Sequence, residues 1–401
     1  LEVRSGELYI AISSSTELAK KFGTPLYVYN TKRIQEIYRN FYDTMKKHTD
    51  LEVRAHYAMK ANSNREILKV LLKEGAWIDA VSLEEAKAAI EVGFPARKIL
   101  FTGTSVSNED MQQLVEMGVR INIDSLSQLK RLTAIASDIE ISFRMDPGIA
   151  GAGHSWKTIT AGKESHGLPI KFSIPEDEIL KATKLAKSYG FKVVGLHEHI
   201  GSNWRTDKEI DEFLQTVDVV LKKARQMTDI LGYDLEFVNF GGGPGVRYEK
   251  AHPDFPLERY AKETFKKVEQ SRIDVGAICF EPGRYLVADA GLLLVEVVDV
   301  KERYGDLIVG VNSGFNHLVR PVFYGSYHEI INCSKADAKA DTKVVIAGNL
   351  CETGDVFTPE PRMMPKPSEG DVLAIHNAGA YGFTMASGYN MRSLPKEVVL
   401  K

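Results

Sequence analysis

Cysteine is scarce in this chain, and the three that are present, Cys279, Cys333 and Cys351, have no paired spacing. This argues against a disulfide framework and against a zinc site, and it fits a reducing cytoplasm. Charge of one sign is also lacking, because 51 basic residues are interspersed with 54 acidic ones for a net charge of -3. Nucleic acid and anionic membranes are therefore not expected partners. No apolar run is long enough to span a bilayer and no signal peptide opens the chain, so we expect a cytoplasmic protein that acts on a small molecule.

Short runs of β-branched residues alternate with longer amphipathic stretches between about residues 25 and 282. Apolar residues at spacings of three and four predict helices, for example at 65–73, 84–91, 108–117 and 207–229. Eight strands with intervening helices predict a (β/α)8 TIM-type barrel over residues 25–282, and a doubly wound open sheet is the alternative. The predicted strands are 53–58, 77–80, 99–102, 119–122, 140–144, 193–199, 235–240 and 277–281.

After Arg284 the pattern changes to strand-like runs separated by glycine and proline. These runs predict a second, mainly β domain of the sandwich or barrel kind, formed by residues 1–24 and 283–401. The opening run 7–12 is also strand-like, and we expect it to pair into that second sheet. The predicted strands of the C-terminal part are 292–300, 307–311, 344–347, 371–375 and 397–400.

Polar residues stand at the predicted strand ends, where the working residues of such a barrel belong. Lys60 follows the first strand, within Ala-His-Tyr-Ala-Met-Lys-Ala-Asn-Ser. In a drier site its pKa would be lowered, so that the neutral amine forms a Schiff base. Taken alone, a surface lysine that closes a strand explains the pattern as well. The other strand ends carry Asp79, Arg144, His199 and Glu281.

A glycine-rich segment, Gly-Gly-Gly-Pro-Gly at 241–245, follows the seventh predicted strand. Backbone N–H groups without side chains can wrap an anion, although a tight structural turn is an equal explanation. The segment lacks the Lys-Ser/Thr ending of a nucleotide P-loop and the spacing of a dinucleotide fingerprint. It therefore favours a phosphorylated cofactor other than a nucleotide.

The sixth predicted strand ends in His-Glu-His-Ile-Gly-Ser. Alternation sends His197 and His199 to one side and Glu198 to the other. A flat imidazole can stack on a cofactor ring, and Ser202 can bind a phosphate. No third ligand stands at a recognisable spacing, so no metal is predicted. Glu281 is an acid on an otherwise apolar strand, and a protonated pyridine nitrogen is a suitable partner for a buried carboxylate.

Six short motifs extend over nearly the whole chain. They are Tyr-Ala-Met-Lys-Ala-Asn at Lys60, His-Ile-Gly-Ser at His199, the triple glycine, Glu-Pro-Gly-Arg at Glu281, Cys-Glu-Thr-Gly-Asp at Cys351 and Gly-Ala-Tyr-Gly at Tyr381. In kind and in order they resemble the fold-type III pyridoxal-phosphate decarboxylases. This alanine racemase-like barrel family includes the diaminopimelate, ornithine and arginine decarboxylases.

The resemblance implies a cofactor, pyridoxal 5'-phosphate, and a role for each matching residue. Lys60 would carry the cofactor as a Schiff base, Glu281 would keep its pyridine nitrogen protonated, and His199 would stack on its ring. Asp79 would lie near the Schiff base, with a helix N-cap or a turn aspartate as its alternative role. Cys351 would donate a proton after carbon dioxide leaves, and in this family it comes from the neighbouring subunit, so a homodimer with shared active sites is implied. The residues expected around the phosphate are Ser202, Gly241, Gly242, Gly243, Gly283, Arg284 and Tyr381.

Substrate choice depends on the far end of the amino acid. Diaminopimelate carries a carboxylate and an ammonium there, and Arg320 and Tyr324 lie in a segment that resembles the carboxylate-binding segment of diaminopimelate decarboxylases. Glu352 would receive the ammonium, and Arg284 and Tyr381 would also contact the substrate. The implied reaction is decarboxylation of meso-diaminopimelate to L-lysine, the last step of lysine biosynthesis. The alternatives are a decarboxylase of another basic amino acid, a racemase, or a catalytically silent cofactor-binding relative.

Four departures from the family pattern stand near the expected pocket. The segment 154–167 is longer than the usual loop, and it is either a lid with a role in specificity or a solvated insertion. Ser173 and Asn312 stand where glycine and aspartate are usual. The segment 388–393 departs from the usual Asn-Tyr-Asn and Arg-Pro endings.

Overall fold

A computed structural model describes residues 1–149 and 155–401 of the chain. The chain forms two compact units, each assembled from separate stretches of sequence. The mainly β unit comprises Leu1–Ile34, Arg247–His252 and Leu286–Lys401, and the barrel unit comprises Gln35–Val246 and Pro253–Tyr285. Among the described residues, no helix is both long and apolar enough to cross a membrane.

Eight parallel strands of the barrel unit close into one sheet, which confirms the predicted (β/α)8 barrel and excludes the open sheet. Closure is seen in the pairing of the last strand with the first, where Ile278 lies opposite Val53, and of the fourth with the fifth, where Ile121 lies opposite Ile141. The strands, called barrel strands one to eight, are Glu52–Ala58, Trp77–Ala80, Ile99–Phe101, Arg120–Ile123, Glu140–Asp146, Lys192–His197, Leu235–Asn239 and Val275–Phe280.

Strand six ends at His197 and not at His199, where the sequence predicted its end. Its neighbour, strand seven, ends at Asn239 opposite His197, and the backbone N–H of Glu198 donates to the Asn239 carbonyl oxygen over 2.9 Å. The two-residue strands of this unit, outside the closed barrel, are Glu164–Ser165, Leu168–Pro169 and Ile174–Pro175.

Five helices of the barrel begin at capping side chains in the loops that follow the strands, whereas Ile179–Ser188 and Leu257–Ser271 begin without one. Asn64 accepts a hydrogen bond from the backbone N–H of Glu66, and Thr206 forms a capping box with Glu209. Such caps satisfy N–H groups that have no partner within the helix. The helices of this unit are Arg65–Lys73, Leu83–Val92, Asn108–Glu116, Leu126–Leu132, Ile179–Ser188, Asp207–Leu231 and Leu257–Ser271; two more, Thr31–Lys46 and Arg284–Val287, cross the division along the chain.

An ion-pair network occupies the N-terminal ends of the barrel strands. Arg54 Nη1 lies 2.7 Å from Glu236 Oε1, and Arg120 Nη2 lies 2.6 Å from Glu140 Oε2. This end of a TIM-type barrel contributes to stability, whereas chemistry belongs to the opposite end. A small apolar cluster lies inside the barrel and consists of Leu100, Val194, Phe237, Ala277 and Cys279.

The mainly β unit is built around the long strand Gly291–Arg303, which pairs with three others. One of these, Leu26–Asn30, was not predicted from the sequence. The core includes Leu26, Val28, Leu292 and Leu294. The remaining strands are Asp306–Val311, Ile330–Asn332, Thr342–Ala347, Arg362–Met364, Val372–Ile375 and Lys396–Leu400, and the helices are Ser15–Phe22 and Arg320–Tyr324.

The expected pairing of residues 7–12 into the second sheet is wrong. Glu7–Ile10 pairs instead with Glu2–Arg4 and Ser13–Ser14 in a separate three-stranded sheet. Residues with positive φ at Gly6 (83°) and at Ala11 (55°) reverse the chain on both sides of the strand, so its nearest partners are local. The side chain of Leu8 still packs into the core of the unit.

Candidate functional site

Lys60 and Asp79 meet at the C-terminal end of the barrel. Lys60 lies in the short 3-10 turn Met59–Ala61 directly after strand one, and Asp79 lies on strand two opposite Ala58. The register places Lys60 Nζ 2.5 Å from Asp79 Oδ2. The next helix is capped by Ser82, so the N-cap alternative for Asp79 is wrong.

The Lys60–Asp79 pair is asymmetric in burial. Asp79 is 1% exposed, while 34% of the Lys60 side chain stays exposed, so the lysine is less enclosed than the sequence suggested. Burial raises the pKa of Asp79, the neighbouring Glu281 adds to this, and Lys60 opposes it. An acid with a raised pKa beside an ammonium group is a suitable acceptor for its proton.

Glu281 follows strand eight and is held by two buried side chains. His197 Nε2 lies 3.1 Å from Glu281 Oε2, and Asn239 Nδ2 donates to Glu281 Oε1 over 2.8 Å. Burial works against the charged form, but His197 and Lys60 outweigh it and hold the pKa of Glu281 below its usual range. The carboxylate is therefore ionised at neutral pH.

His199 stands beside the triple-glycine turn, and its Nδ1 accepts a hydrogen bond from the backbone N–H of Gly242 over 3.1 Å. Burial, together with the charges of Arg144 and Lys60, lowers the pKa of His199 to about 3. The imidazole is therefore neutral, and its unprotonated nitrogen faces the turn.

The triple-glycine turn has a packing reason for its composition. Gly241 has φ +66°, and a Cβ atom there would lie 2.3 Å from the carbonyl oxygen of Glu198. A Cβ atom at Gly242 would lie 2.6 Å from the carbonyl oxygen of Glu281. Glycine thus lets the turn pass directly against the segments that carry His199 and Glu281.

Arg284 and Ser202 form a second polar pair. Arg284 is buried, and its Nη2 lies 3.3 Å from Ser202 Oγ. Gly283, just before it, packs against the end of strand one, where an added Cβ atom would lie 3.0 Å from the Cβ atom of Ala58. The Glu-Pro-Gly-Arg motif is therefore held against the turn that carries Lys60.

Arg144 has structural partners at the mouth of the barrel. Its Nη1 lies 4.0 Å from Asp124 Oδ1, and its guanidinium carbon lies 4.7 Å from the centre of the Phe172 ring. Ser173, which replaces the usual glycine, has φ +74° and donates its backbone N–H to Asp124 Oδ1. Glycine adopts a positive φ more readily than serine does, which explains why glycine is expected at this position.

The remaining predicted site residues belong to the mainly β unit. Arg320 is 1% exposed, and it contacts His328 Nε2 at 3.3 Å and Ser326 Oγ at 3.1 Å. Its guanidinium carbon lies 5.1 Å from the ring centre of Tyr248 and 5.9 Å from that of Tyr324. These contacts fix the position of the guanidinium group.

Cys351 and Glu352 are exposed and contact the segment 388–393. Asn390 Nδ2 lies 3.3 Å from Cys351 Sγ, and the Tyr389 hydroxyl donates to Glu352 Oε1 over 2.6 Å. Tyr381, in the Gly-Ala-Tyr-Gly motif, is half-buried with φ +55°. Tyr389 and Asn390, which make these contacts, keep the usual Tyr-Asn, and the departures in 388–393 fall on Gly388 and Ser393.

Comparison with known proteins gives the family. Residues 32–288 match the model described as pyridoxal-dependent decarboxylase, pyridoxal binding domain. The chain belongs to this decarboxylase family. The diaminopimelate decarboxylase of Methanothermobacter thermautotrophicus is 40% identical over 99% of this chain and 91% of that protein. The corresponding enzyme of Methanocaldococcus jannaschii is 34% identical over 100% of this chain and 91% of that protein.

Solved structures agree with this assignment to the decarboxylase family. The M. jannaschii diaminopimelate decarboxylase in co-complex with L-lysine aligns with a TM-score of 0.90 at 33% identity, covering 100% of this chain and 92% of that one. A lysine/ornithine decarboxylase from Vibrio vulnificus, complexed with putrescine, aligns with a TM-score of 0.81 at 20% identity, covering 96% of each chain. At 20% identity, the similarity to the Vibrio vulnificus enzyme supports only the fold.

The long loop of this decarboxylase is attached to the barrel in its described part, 155–167, while residue 154 lies outside the described residues. Thr160 Oγ1 donates to the carbonyl oxygen of His199 over 2.7 Å, and the Gly162 N–H donates to Asp146 Oδ1 over 3.0 Å. Trp156 stacks on His166 with ring centres 4.8 Å apart. Two residues of 155–167 thus bond to the ends of strands five and six while much of the segment stays exposed, and its role stays a prediction.

Sequence reasoning missed two buried polar residues of the site. Asn239 lies two residues after Phe237 on strand seven, so the two side chains face the same side of the sheet. Because Phe237 faces the barrel interior, the inward direction of Asn239 could have been deduced. His197 was known to share a side with His199, but nothing in the sequence pairs it with Glu281. These residues stand at the ends of strands six, seven and eight, and the side-by-side pairing of those strands brings them together.

Proposed function

We propose that this protein is a diaminopimelate decarboxylase, a carboxy-lyase that converts meso-diaminopimelate to L-lysine and carbon dioxide. The observation that carries the proposal is the identity of the full-length relatives. Those reported above carry this name at 34–40% identity, and each comparison covers at least 99% of this chain. The polar groups at the C-terminal end of the barrel support the same chemistry.

The groups at the barrel end fit pyridoxal 5'-phosphate as the cofactor. Lys60 offers an amine for the aldehyde, Glu281 an ionised carboxylate for the ring nitrogen, and His199 a neutral ring for stacking. Hydrogen-bond donors suited to a phosphate come from the Ser202–Arg284 pair and from the triple-glycine turn. When bound, pyridoxal phosphate supplies an electron-poor ring that accepts the electron pair of the bond to the departing carboxylate.

The proposed roles of the chain's own residues follow from their charges. Asp79 Oδ2 holds the Lys60 ammonium and is poised to take its proton, which frees the amine for cofactor attachment. Glu281 stays charged and so favours a proton on the ring nitrogen. Cys351 Sγ supplies the proton that replaces the lost carboxylate.

Recognition of the substrate's distal end is assigned to the mainly β unit. The fork of Arg320, held by Ser326 and His328, suits a carboxylate bidentately, and Tyr324 lies beside it. Glu352 is proposed to receive the distal ammonium, with Arg284 and Tyr381 contacting the substrate near the cofactor. Plain ornithine or lysine has no distal carboxylate and would leave Arg320 without this partner.

We also propose a homodimer in which Cys351 and Glu352 complete the site of the partner subunit. Both residues are exposed in the single chain, which supports a role outside it. Lys60→Ala and Cys351→Ala variants, each inactive alone, should regain about a quarter of wild-type activity when refolded together, because half of the dimers then contain one intact site. Separate active sites within each chain would give no such recovery.

The decisive assay is carbon dioxide release from the pyridoxal-phosphate-loaded protein. The substrates to compare are meso-diaminopimelate, L-lysine, L-ornithine, D-ornithine and L-arginine. Turnover confined to meso-diaminopimelate supports the proposal, whereas turnover of another substrate alone would contradict it. Recovery of the opposite enantiomer without carbon dioxide would indicate a racemase, and bound cofactor with no reaction would indicate a silent relative.

A further inference from the structure

Each carboxylate oxygen of Glu281 has a buried polar partner. Its two oxygens go to different strands: Oε2 faces His197 on strand six, and Oε1 accepts from Asn239 on strand seven. All three side chains are at most 5% exposed. Both oxygens are therefore held by donors, and rotation of the carboxylate would break two hydrogen bonds at once.

Asn239 also connects Glu281 to the glycine turn. Its Nδ2 donates to Glu281, and its Oδ1 accepts the backbone N–H of Gly241 over 2.9 Å. A side-chain amide can donate at one end and accept at the other, so Asn239 is suited to both bonds at once. A carboxylate at this position would keep the bond to Gly241 and repel Glu281.

His197 has one partner in this cluster. Its Nε2 bonds Glu281, while its Nδ1 has no hydrogen-bond partner among the described residues. A buried imidazole whose one hydrogen bond goes to a carboxylate oxygen positions that carboxylate rather than the surrounding fold. The other titratable or charged groups whose charges act on Glu281, or are acted on by it, are His56, Lys60, Asp79, Arg144, His199 and Cys279.

We propose that His197 and Asn239 are positioning residues that hold Glu281 ionised and aim it at the ring nitrogen of the bound cofactor. The inference rests on the proposed function, in which Glu281 meets that nitrogen. If this is correct, His197 and Asn239 should strengthen binding of the cofactor only when its ring nitrogen is present.

The test measures dissociation constants of two probes without any turnover. One is pyridoxal 5'-phosphate, and the other is its analogue with carbon in place of the ring nitrogen. Asn239→Asp and His197→Leu should weaken binding of the first about tenfold and of the analogue less than threefold. His197→Gln, which retains a donor near the position of Nε2, should recover most of the loss.

Asn122 provides a matched control, because it is an equally buried barrel asparagine that accepts from Ser142 Oγ over 2.8 Å. Asn122→Asp should leave the preference between the two probes unchanged, even if it lowers the midpoint of thermal unfolding. Equal weakening of both probes by Asn239→Asp or His197→Leu would overturn the proposal, since it would indicate a structural role. Wild-type protein that binds both probes equally would overturn the premise that Glu281 meets the ring nitrogen. Wild-type protein that prefers pyridoxal 5'-phosphate to the analogue but releases no carbon dioxide would contradict the proposed function alone.

Discussion

Glu198 is a buried acid that should lower the stability of this protein as the pH rises from 4.5 towards 8. It is fully buried behind strand six, and burial raises its pKa to about 8. The Thr216 hydroxyl lies 2.7 Å from the Phe213 carbonyl oxygen and 2.8 Å from Glu198 Oε1. The Thr216 hydroxyl donates to Glu198 Oε1, which favours the charged form and partly opposes the effect of burial on the pKa. Burial outweighs this hydrogen bond, so folded Glu198 is mostly neutral at pH 7.

The stability cost follows from the difference between the folded and unfolded states. Folding raises the pKa of Glu198 from an ordinary 4.5 to about 8. Its contribution to the free energy of unfolding is therefore fully present below pH 4.5 and is lost as the pH rises towards 8. At about 1.4 kcal/mol per pH unit, the loss is about 3 kcal/mol at pH 7 and about 5 kcal/mol above pH 8.

Glu198→Gln removes this titration and keeps nearly the same shape. Its amide can donate to Thr216 Oγ, while the additional N–H costs about 1 kcal/mol if it has no partner. The variant should therefore be about 2 kcal/mol more stable at pH 7 and close to wild type at pH 5. For a unit of this size the gain corresponds to roughly 4–8 °C in the midpoint of thermal unfolding.

The assay is thermal unfolding of wild type and Glu198→Gln at several pH values between 5 and 8. The two curves should diverge as the pH rises. Glu269→Gln, at an exposed position on Leu257–Ser271, is the matched control and should run parallel to wild type. Parallel curves for Glu198→Gln would refute the reasoning, because they would mean that folding does not change the protonation of Glu198.

Three further variants test other parts of the structure. Ser173→Gly should stabilise the protein by about 0.5–1 kcal/mol by relieving φ +74°, whereas Ser173→Ala should not; equal unfolding midpoints for all three proteins would contradict this. Lys60→Ala should lose both covalently attached cofactor and carbon dioxide release, and a variant that kept both would remove Lys60 from the mechanism. Arg320→Ala should lower kcat/KM for meso-diaminopimelate roughly 10–100-fold, the value of a charge-assisted hydrogen bond, and affect lysine and ornithine far less; equal losses on all substrates would make Arg320 structural.

The barrel could be predicted because its signals are local. Apolar periodicity and turn residues report on a few neighbouring positions, and they gave strand bounds within a few residues of those observed. The mainly β unit was harder, because its sheet is assembled from distant segments. The strand Leu26–Asn30 pairs with Gly291–Arg303 across more than half of the chain, and no local pattern reveals such a partner.

The candidate site also has a part that the sequence could predict and a part that it could not. Strand ends in a parallel barrel meet at one rim, so the sequence alone could bring Lys60, Asp79 and Glu281 to one end. The prediction for residues 7–12 failed because two backbone reversals, at Gly6 and Ala11, determined the partner strand. Assignments that rest on the family motifs, such as those of Cys351 and Arg320, stay predictions.

The sequence by itself determined the barrel, the change to a mainly β unit and the residues that stand at the strand ends, because each is written in neighbouring positions of the chain. Only the tertiary structure decided how the charges are distributed. The pairing of strands six, seven and eight places His197 and Asn239 on Glu281, which stays ionised, while burial keeps Glu198 neutral. Two glutamates of identical chemistry thus acquire opposite charge states, because protonation depends on partners and solvent that a linear sequence does not specify.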